Sequence, residues 1–471
     1  MAQAETTPEE LQAPETGFRR ALGLVPATAI NMTQMCGIGP FITIPIMVAT
    51  MGGPQATIGW IAGALLAMAD GLVWAELGAA MPSAGGTYVY LREAFQYRSG
   101  KLMPFLFIWT AMLTIPLIMA TGIIGIIDYL GYFLPHLGFW SKHLIGLGFT
   151  AAVLFALYRR IESIRILTTF LWIVMLAAVA LTIASAFTHF QPHLAFTYPA
   201  GAFGAGFVGG LGAGLIVAIY DYLGYYTVAE MGDELASPGR VMPRSIMISI
   251  GAMCLIYLAL NIGVIGTMPW QQVAKSTSVA SAVVTRNWSH AAADGVTVLI
   301  IITAFASVFA GLLGGSRLPY HAARDRVFFR FFGRLHRQGF PHVALLALGL
   351  ITAIGSFFNL TTVINLLLAT TVLVQAVPQI VALTVLRRRQ PSLYRPYKQW
   401  LYPLPSLAAL AGWIYVYTSA SSTSLIGSAV WILAGIGAYL AWARAGHHWP
   451  FAAPEVNEVY LDEQRREAVK T

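Results

Sequence analysis

The chain has 471 residues, of which 57% are hydrophobic and only 10% charged, with a formal net charge of +8 at neutral pH. That balance excludes a soluble globular core. The basic residues lie between long apolar runs, so the positive charge records a face against anionic lipid headgroups and not a nucleic-acid footprint.

Crossing about 30 Å of hydrocarbon takes about 20 apolar residues at ~1.5 Å each. Runs of that kind fall at 22–49, 54–81, 102–131, 141–158, 164–188, 205–233, 244–268, 294–317, 342–358, 361–386, 398–419 and 424–444. They predict an all-α integral membrane protein with twelve transmembrane helices in one domain, 18–448, between a mobile N-terminus, 1–17, and a polar tail, 449–471. The first run is too long, and too weakly preceded by basic residues, for a cleaved signal peptide. Of the 28 Lys and Arg residues, the outer segments of this scheme hold only Lys142, Lys275 and Arg286. That bias puts both termini in the cytoplasm and supports an even helix count. Cys36 and Cys254 fall in different runs, so no disulfide framework is implied.

The first run is interrupted by Gly37-Ile38-Gly39-Pro40. Glycine costs roughly 1 kcal/mol against alanine in a helix interior, and proline about 3. Pro40 also lacks a backbone donor and pushes Gly39 out of the helical region. The interruption predicts a half-helix whose amide donors are free to meet an anion. The competing reading is that Gly-x-Gly lets two helices pack closely.

The sixth run carries a matching interruption, Tyr220-Asp221-Tyr222-Leu223-Gly224-Tyr225. A carboxylate at mid-membrane depth is expensive and is by default functional. Backbone can unwind there only inside protein or along a water-filled cavity. Gly39 and Gly224 lie about 185 residues apart, the spacing of a repeat of five-helix units. Two interrupted helices in corresponding halves point to a transporter's substrate site.

The second run ends in Glu76-Leu77-Gly78-Ala79-Ala80-Met81-Pro82-Ser83-Ala84-Gly85-Gly86-Thr87-Tyr88 and leads to Leu91-Arg92-Glu93-Ala94-Phe95. This passage resembles the signature after the second helix of the amino acid–polyamine–organocation transporters. The resemblance also covers Gly37-Ile38-Gly39-Pro40-Phe41 and the stretch Asp233-Glu234-Leu235-Ala236-Ser237-Pro238-Gly239-Arg240-Val241-Met242-Pro243-Arg244. It returns at Gly315-Ser316-Arg317 with Tyr320, Ala323, Arg324 and Asp325. It implies a LeuT-like fold of two inverted five-helix repeats, about 22–188 and 205–386, with helices 1 and 6 broken and two helices added at about 398–444. It further implies a site where Met35, Gly37, Ile38 and Gly39 offer backbone groups to substrate. Tyr220 would be an aromatic lid, and Leu223 would flank the α-amino group.

An amino acid carries a carboxylate, which suits free amides after the first break, and an ammonium, which suits unwound carbonyls at Met35 and Tyr220–Leu223. Asp221 is then left to hold a cationic side chain, a polyamine end or a coupling proton, or simply to bond the loosened backbone beside Gly224. Trp109, Tyr222, Tyr225, Tyr226 and Phe305 are aromatics that could line a pocket, though each is individually a common core residue; Trp109 and Tyr226 join the candidate set. Glu76 reads as structural near the inner interface. Asp128 reads as a solvated end, and Glu230, Asp233 and Glu234 as ion-pair partners of Arg240 and Arg244.

Two departures from the family pattern matter. Val174 stands where several proton-coupled relatives carry a lysine, and Tyr226 where cationic antiporters carry a carboxylate. Thr303 and Ser307 are hydroxyls on the eighth run, but Ala306 occupies one position that a sodium site would need. The expectation is therefore a secondary transporter of neutral or zwitterionic amino acids in a plasma or bacterial inner membrane, by exchange or proton symport. A polyamine or cationic amino acid carrier using Asp221, and a sensor that binds without moving its ligand, are the alternatives. No enzyme active site, metal set or cofactor is expected, and the partners are small substrate, lipid and a coupling proton.

Overall fold

The structure, a computed structural model, describes residues 22–82, 85–158, 164–337 and 339–451. The stretch 1–17, most of the tail, Ser83-Ala84 of the motif and the Glu162-Ser163 pair lie outside the described residues.

Among the described residues the chain is helical throughout. The first run divides into α1 (Leu24–Met35) and α2 (Gly39–Met51). Then come α3 (Ala56–Ala80), the short α4 (Thr87–Ser99), α5 (Leu102–Phe133), α6 (Phe139–Tyr158) and α7 (Ile164–Thr188). A turn of helix, α8 (Pro192–Phe196), leads to α9 (Gly206–Tyr222), α10 (Thr227–Glu230) and α11 (Pro238–Ile265). Two short outer helices, α12 (Trp270–Val273) and α13 (Val279–Asn287), precede α14 (His290–Gly315) and α15 (Arg317–Arg324). The last elements are α16 (His342–Gly355), α17 (Leu360–Thr371), α18 (Val377–Arg389), α19 (Leu404–Ser419) and α20 (Ser422–Gly446).

Seven of these segments are long and apolar enough to cross a membrane, and α1 with α2, bent by 55°, makes an eighth. Residues 173–188 of α7, together with α9 and α16, are apolar but shorter. Polar side chains start several helices. The Ser289 hydroxyl accepts from the Ala292 N–H at 3.2 Å, and the Asn359 carbonyl accepts from Thr362 at 2.8 Å. Each satisfies one of the amide donors that a helix start leaves over.

Pro378 interrupts the run that α17 begins. It donates no hydrogen bond and its ring crowds the carbonyl four residues back, and residues Val372–Ala376 form a π-helical turn. At the core, α3 packs along α11 and α9, while α5 packs along α14, α16 and α17. The segments before α1 and after α10 are tied together. The Leu22 N–H donates to the Glu234 carbonyl at 3.0 Å, and the Ala236 N–H donates to the Leu22 carbonyl at 3.1 Å.

Glu76 is fully buried. It accepts from Arg387 Nε at 2.7 Å and Nη2 at 2.5 Å, from the Gln399 N–H at 2.6 Å, and lies 3.6 Å from Arg395 Nε. This knot joins the end of α3 to the end of α18 and the loop after it. Asp70, one and a half turns earlier, accepts from the indoles of Trp74 and Trp413, both at 3.1 Å, and from the Tyr225 hydroxyl.

Candidate functional site

The two interruptions meet. Helix α1 ends at Met35, residues Cys36–Ile38 are non-helical, and α2 restarts at Gly39 with Pro40 in its first turn, where a missing N–H costs nothing. The break therefore falls one turn before the proline. Opposite it, α9 ends at Tyr222, Leu223 is extended, and Gly224 takes a φ of +107°. A β-carbon on Gly224 would lie 2.6 Å from the Gln34 β-carbon and 3.3 Å from the Met35 nitrogen. Only glycine permits both that backbone angle and that approach.

Side chains on neighbouring helices hold the junction. The Tyr257 hydroxyl, on α11, lies 2.8 Å from the Met35 carbonyl and 2.8 Å from the Asp221 carbonyl. It has one proton to share between the loose ends of α1 and α9. Asn31, buried in α1, accepts from the Val228 N–H at 2.9 Å and so satisfies a donor at the start of α10. A lone asparagine in an apolar run was its sequence signal. Among the described residues no carbonyl or side chain accepts from the N–H of Gly37, Ile38 or Gly39. Those donors sit at the N-terminal end of α2, where the helix dipole favours negative charge.

Asp221 is 2% exposed and packs against Gly39. Thr43 donates to its Oδ2 at 2.5 Å, while its Oδ1 has no hydrogen-bond donor among the described residues. The Tyr220 hydroxyl pairs with that of Thr121 on α5 at 2.5 Å, and its ring borders Gly39. Ser307 of α14 faces Gly37, but its hydroxyl and that of Thr303 are spent on carbonyls of their own helix.

Next to the junction lies a cavity of about 110 Å³. Leu223, Tyr226 and Glu230 line it from the sixth run, Thr110 and Thr114 from α5, and Gln375 from the π-helical turn. Tyr226 stacks flat on Trp74, with ring centroids 4.2 Å apart. A cavity of roughly 10–15 Å³ holds one water, so this space admits a small solute.

The structure separates the expected site residues into two groups. Met35, Gly37, Ile38, Gly39, Tyr220, Asp221 and Gly224 meet at the junction, and Leu223 and Tyr226 continue from it into the cavity. Trp109 does not join them. Its indole donates to the Trp431 carbonyl at 3.0 Å, Trp431 returns the bond at 3.2 Å, and the rings stack at 5.0 Å. It faces α20, because Thr110 and Thr114, not Trp109, occupy the cavity side of α5. Glu230 is also not the ion-pair partner expected of Arg240 or Arg244; it opens into the cavity instead. Cys36, at the break, is 2% exposed. Gln375 was missed, though Pro378 inside an apolar run marked the irregular backbone that presents it.

A family model described as amino acid permease matches residues 22–445. The chain is 24% identical over 457 residues to the branched-chain amino acid permease BcaP of Bacillus subtilis, covering 91% of this chain and 94% of that relative. It is 24% identical over 434 residues to the serine/threonine exchanger SteT of the same organism, covering 90% and 96%. It is also 24% identical over 372 residues to mouse cationic amino acid transporter 4, covering 74% of this chain and 56% of that protein. The names of these relatives describe transport, not catalysis.

Proposed function

The chain belongs to the amino acid permease family of the amino acid–polyamine–organocation transporters, and from that premise we propose that it moves amino acids across a cell membrane by alternating access at the junction of its two breaks. The substrate carboxylate meets the free amides of Gly37, Ile38 and Gly39. The ammonium meets the carbonyls of Met35 and of the Tyr220–Leu223 stretch. The side chain enters the cavity beside Leu223 and Tyr226. Twelve spans, arranged as two inverted five-helix repeats plus α19 and α20, carry this site in a bacterial inner membrane with both termini inside. The cargo is a neutral amino acid, by exchange or proton symport.

The observation that carries the reading is the close approach of Gly224 to Gln34, which brings two loosened backbones together in the core. The neutral-cargo choice is supported by Asp221, which is held by Thr43 and does not line the cavity. That position argues against Asp221 as counter-charge for a polyamine or cationic side chain. The test is counterflow in sealed vesicles reconstituted with the purified chain. Exchange of labelled L-leucine or L-serine is expected. Specific binding without counterflow would leave a sensor, and counterflow of L-lysine or putrescine alone would replace the neutral cargo.

A further inference from the structure

Glu230 is the carboxylate that opens into the cavity. On its own element it is faced by the phenol of Tyr226, and from α4 by that of Tyr90. Gly86 packs against it so closely that a β-carbon there would sit 3.0 Å from Glu230 Cγ. Across the cavity stand Thr110 and Thr114 of α5, Thr371 of α17, Gln375 of the π-helical turn and Leu318 of α15. Arg317, beside Leu318, lines a different cavity with Leu157 and Phe340. No ion pair with another described residue involves Glu230. Thr110 adds a second, independent signal. It is 3% exposed, lines the same cavity, and its hydroxyl has no hydrogen-bond partner among the described residues.

We propose that the cavity beside Glu230 closes only when this carboxylate has taken up a proton, so that occlusion is itself a proton-binding step. Closing the cavity removes the water that now solvates Glu230. An ionised carboxylate left without water or a cation is too costly to bury, and such groups neutralise instead. One proton passes from water to a Glu230 oxygen on closing and returns to water on opening. The protonated carboxyl gains an O–H, for which the Thr110 oxygen is a buried acceptor. The closed form binds the proton more tightly than the open form, so closure is favoured as pH falls and lost as pH rises. Apolar lining from Phe107, Ala111, Ile115 and Leu318 suits an uncharged side chain in the same space, which leaves the proton as the source of the positive charge. The inference rests on the alternating-access reading above.

The experiment places a thiol in the cavity wall, Thr114→Cys, in the full chain, with Glu230 intact or replaced in Glu230→Gln. Labelling by a small membrane-impermeant thiol reagent is quantified at position 114 by peptide mass, so Cys36 and Cys254 do not interfere. The readout is the ratio of their rates, and an ionised Glu230 near the thiol only slows labelling at high pH, against the direction expected, so it cannot imitate the result. The ratio with Glu230 over Gln is expected to fall as pH is lowered, approaching about tenfold per pH unit at its steepest, as uptake of one proton requires. Glu230→Asp should behave as Glu230 does. A ratio that does not change with pH overturns the proposal, as does an aspartate variant that follows glutamine. Protection of position 114 by L-lysine at alkaline pH that depends on Glu230 would overturn it too, since the cargo would then supply the charge. Counterflow of L-leucine is measured separately, so loss of the transport reading and loss of the proton step give different results.

Discussion

Gly224 and Gln34 approach so closely that a β-carbon on the glycine would overlap the glutamine's, at 2.6 Å, and the φ of +107° at Gly224 is one that other residues adopt only under strain. Gly224→Ala should therefore cost about 1–3 kcal/mol in backbone strain before the clash with α1 is counted. The expected outcome is a lower melting temperature in detergent and loss of counterflow. Gly131→Ala, in α5 with nothing within 4 Å, is the control and should leave the melting temperature unchanged or raise it.

Tyr257→Phe removes one hydroxyl from a position where two carbonyls depend on it. Tyr257 is fully buried, so no water replaces the lost donor easily. A buried acceptor left unpaired costs about 1–3 kcal/mol. Because the Met35 and Asp221 carbonyls belong to the proposed ammonium site, the variant should change substrate affinity as well as stability. A melting shift with an unaltered half-saturation concentration would place Tyr257 in the scaffold alone.

Asp221→Asn tests what the buried carboxylate is for. Thr43 can donate to the amide oxygen as it does to the carboxylate, so the junction should persist. Counterflow of a neutral amino acid is expected to survive, with a loss between about tenfold and about 150-fold at most, since one altered hydrogen bond to a charged group is worth about 1.5–3 kcal/mol. Selective loss of L-lysine transport in this variant would restore Asp221 as a counter-charge.

Glu76→Gln should be among the most damaging single changes. The carboxylate is enclosed with Arg387 and Arg395, and its removal leaves two cations facing each other in a buried pocket. Breaking a buried pair in this way typically costs about 3–5 kcal/mol. The expected result is poor yield and early thermal unfolding, and no specific change in substrate preference among molecules that do fold.

Much of the architecture was legible because membrane-spanning runs are written in composition and because glycine and proline interrupt them at few places. Gly37, Gly39 and Gly224 marked the junction without any knowledge of their contacts. What the sequence hid is rotation about a helix axis. In α5 a single residue step separates Trp109, which faces α20, from Thr110, which faces the cavity, and the polar residues that mark the cavity side, Thr110 and Thr114, are few and weakly polar in a run this apolar. Ion-pair partners were hidden for a similar reason. Proximity along the chain suggested Arg240 for Glu230, whereas the partners of Glu76 came from Arg387 and Arg395, more than three hundred residues away.

Trp109 and Tyr226, which the sequence placed together, should therefore separate by experiment. Trp109→Phe loses the bond its indole donates to the Trp431 carbonyl and part of the stacked contact, each about 0.5–1.5 kcal/mol, while the bond that Trp431 donates to the backbone carbonyl of residue 109 remains, so stability should fall. Substrate affinity should not change, because no atom of Trp109 reaches the cavity or the junction. Tyr226→Phe keeps the stack on Trp74 and alters only the hydroxyl in the cavity wall. Its melting temperature should stay near that of the unmodified chain while the half-saturation concentration for substrate moves by a few-fold. Measuring counterflow and melting on both variants checks the assignment in one comparison. A Trp109 variant that changes affinity without changing stability would return α5's other face to the site.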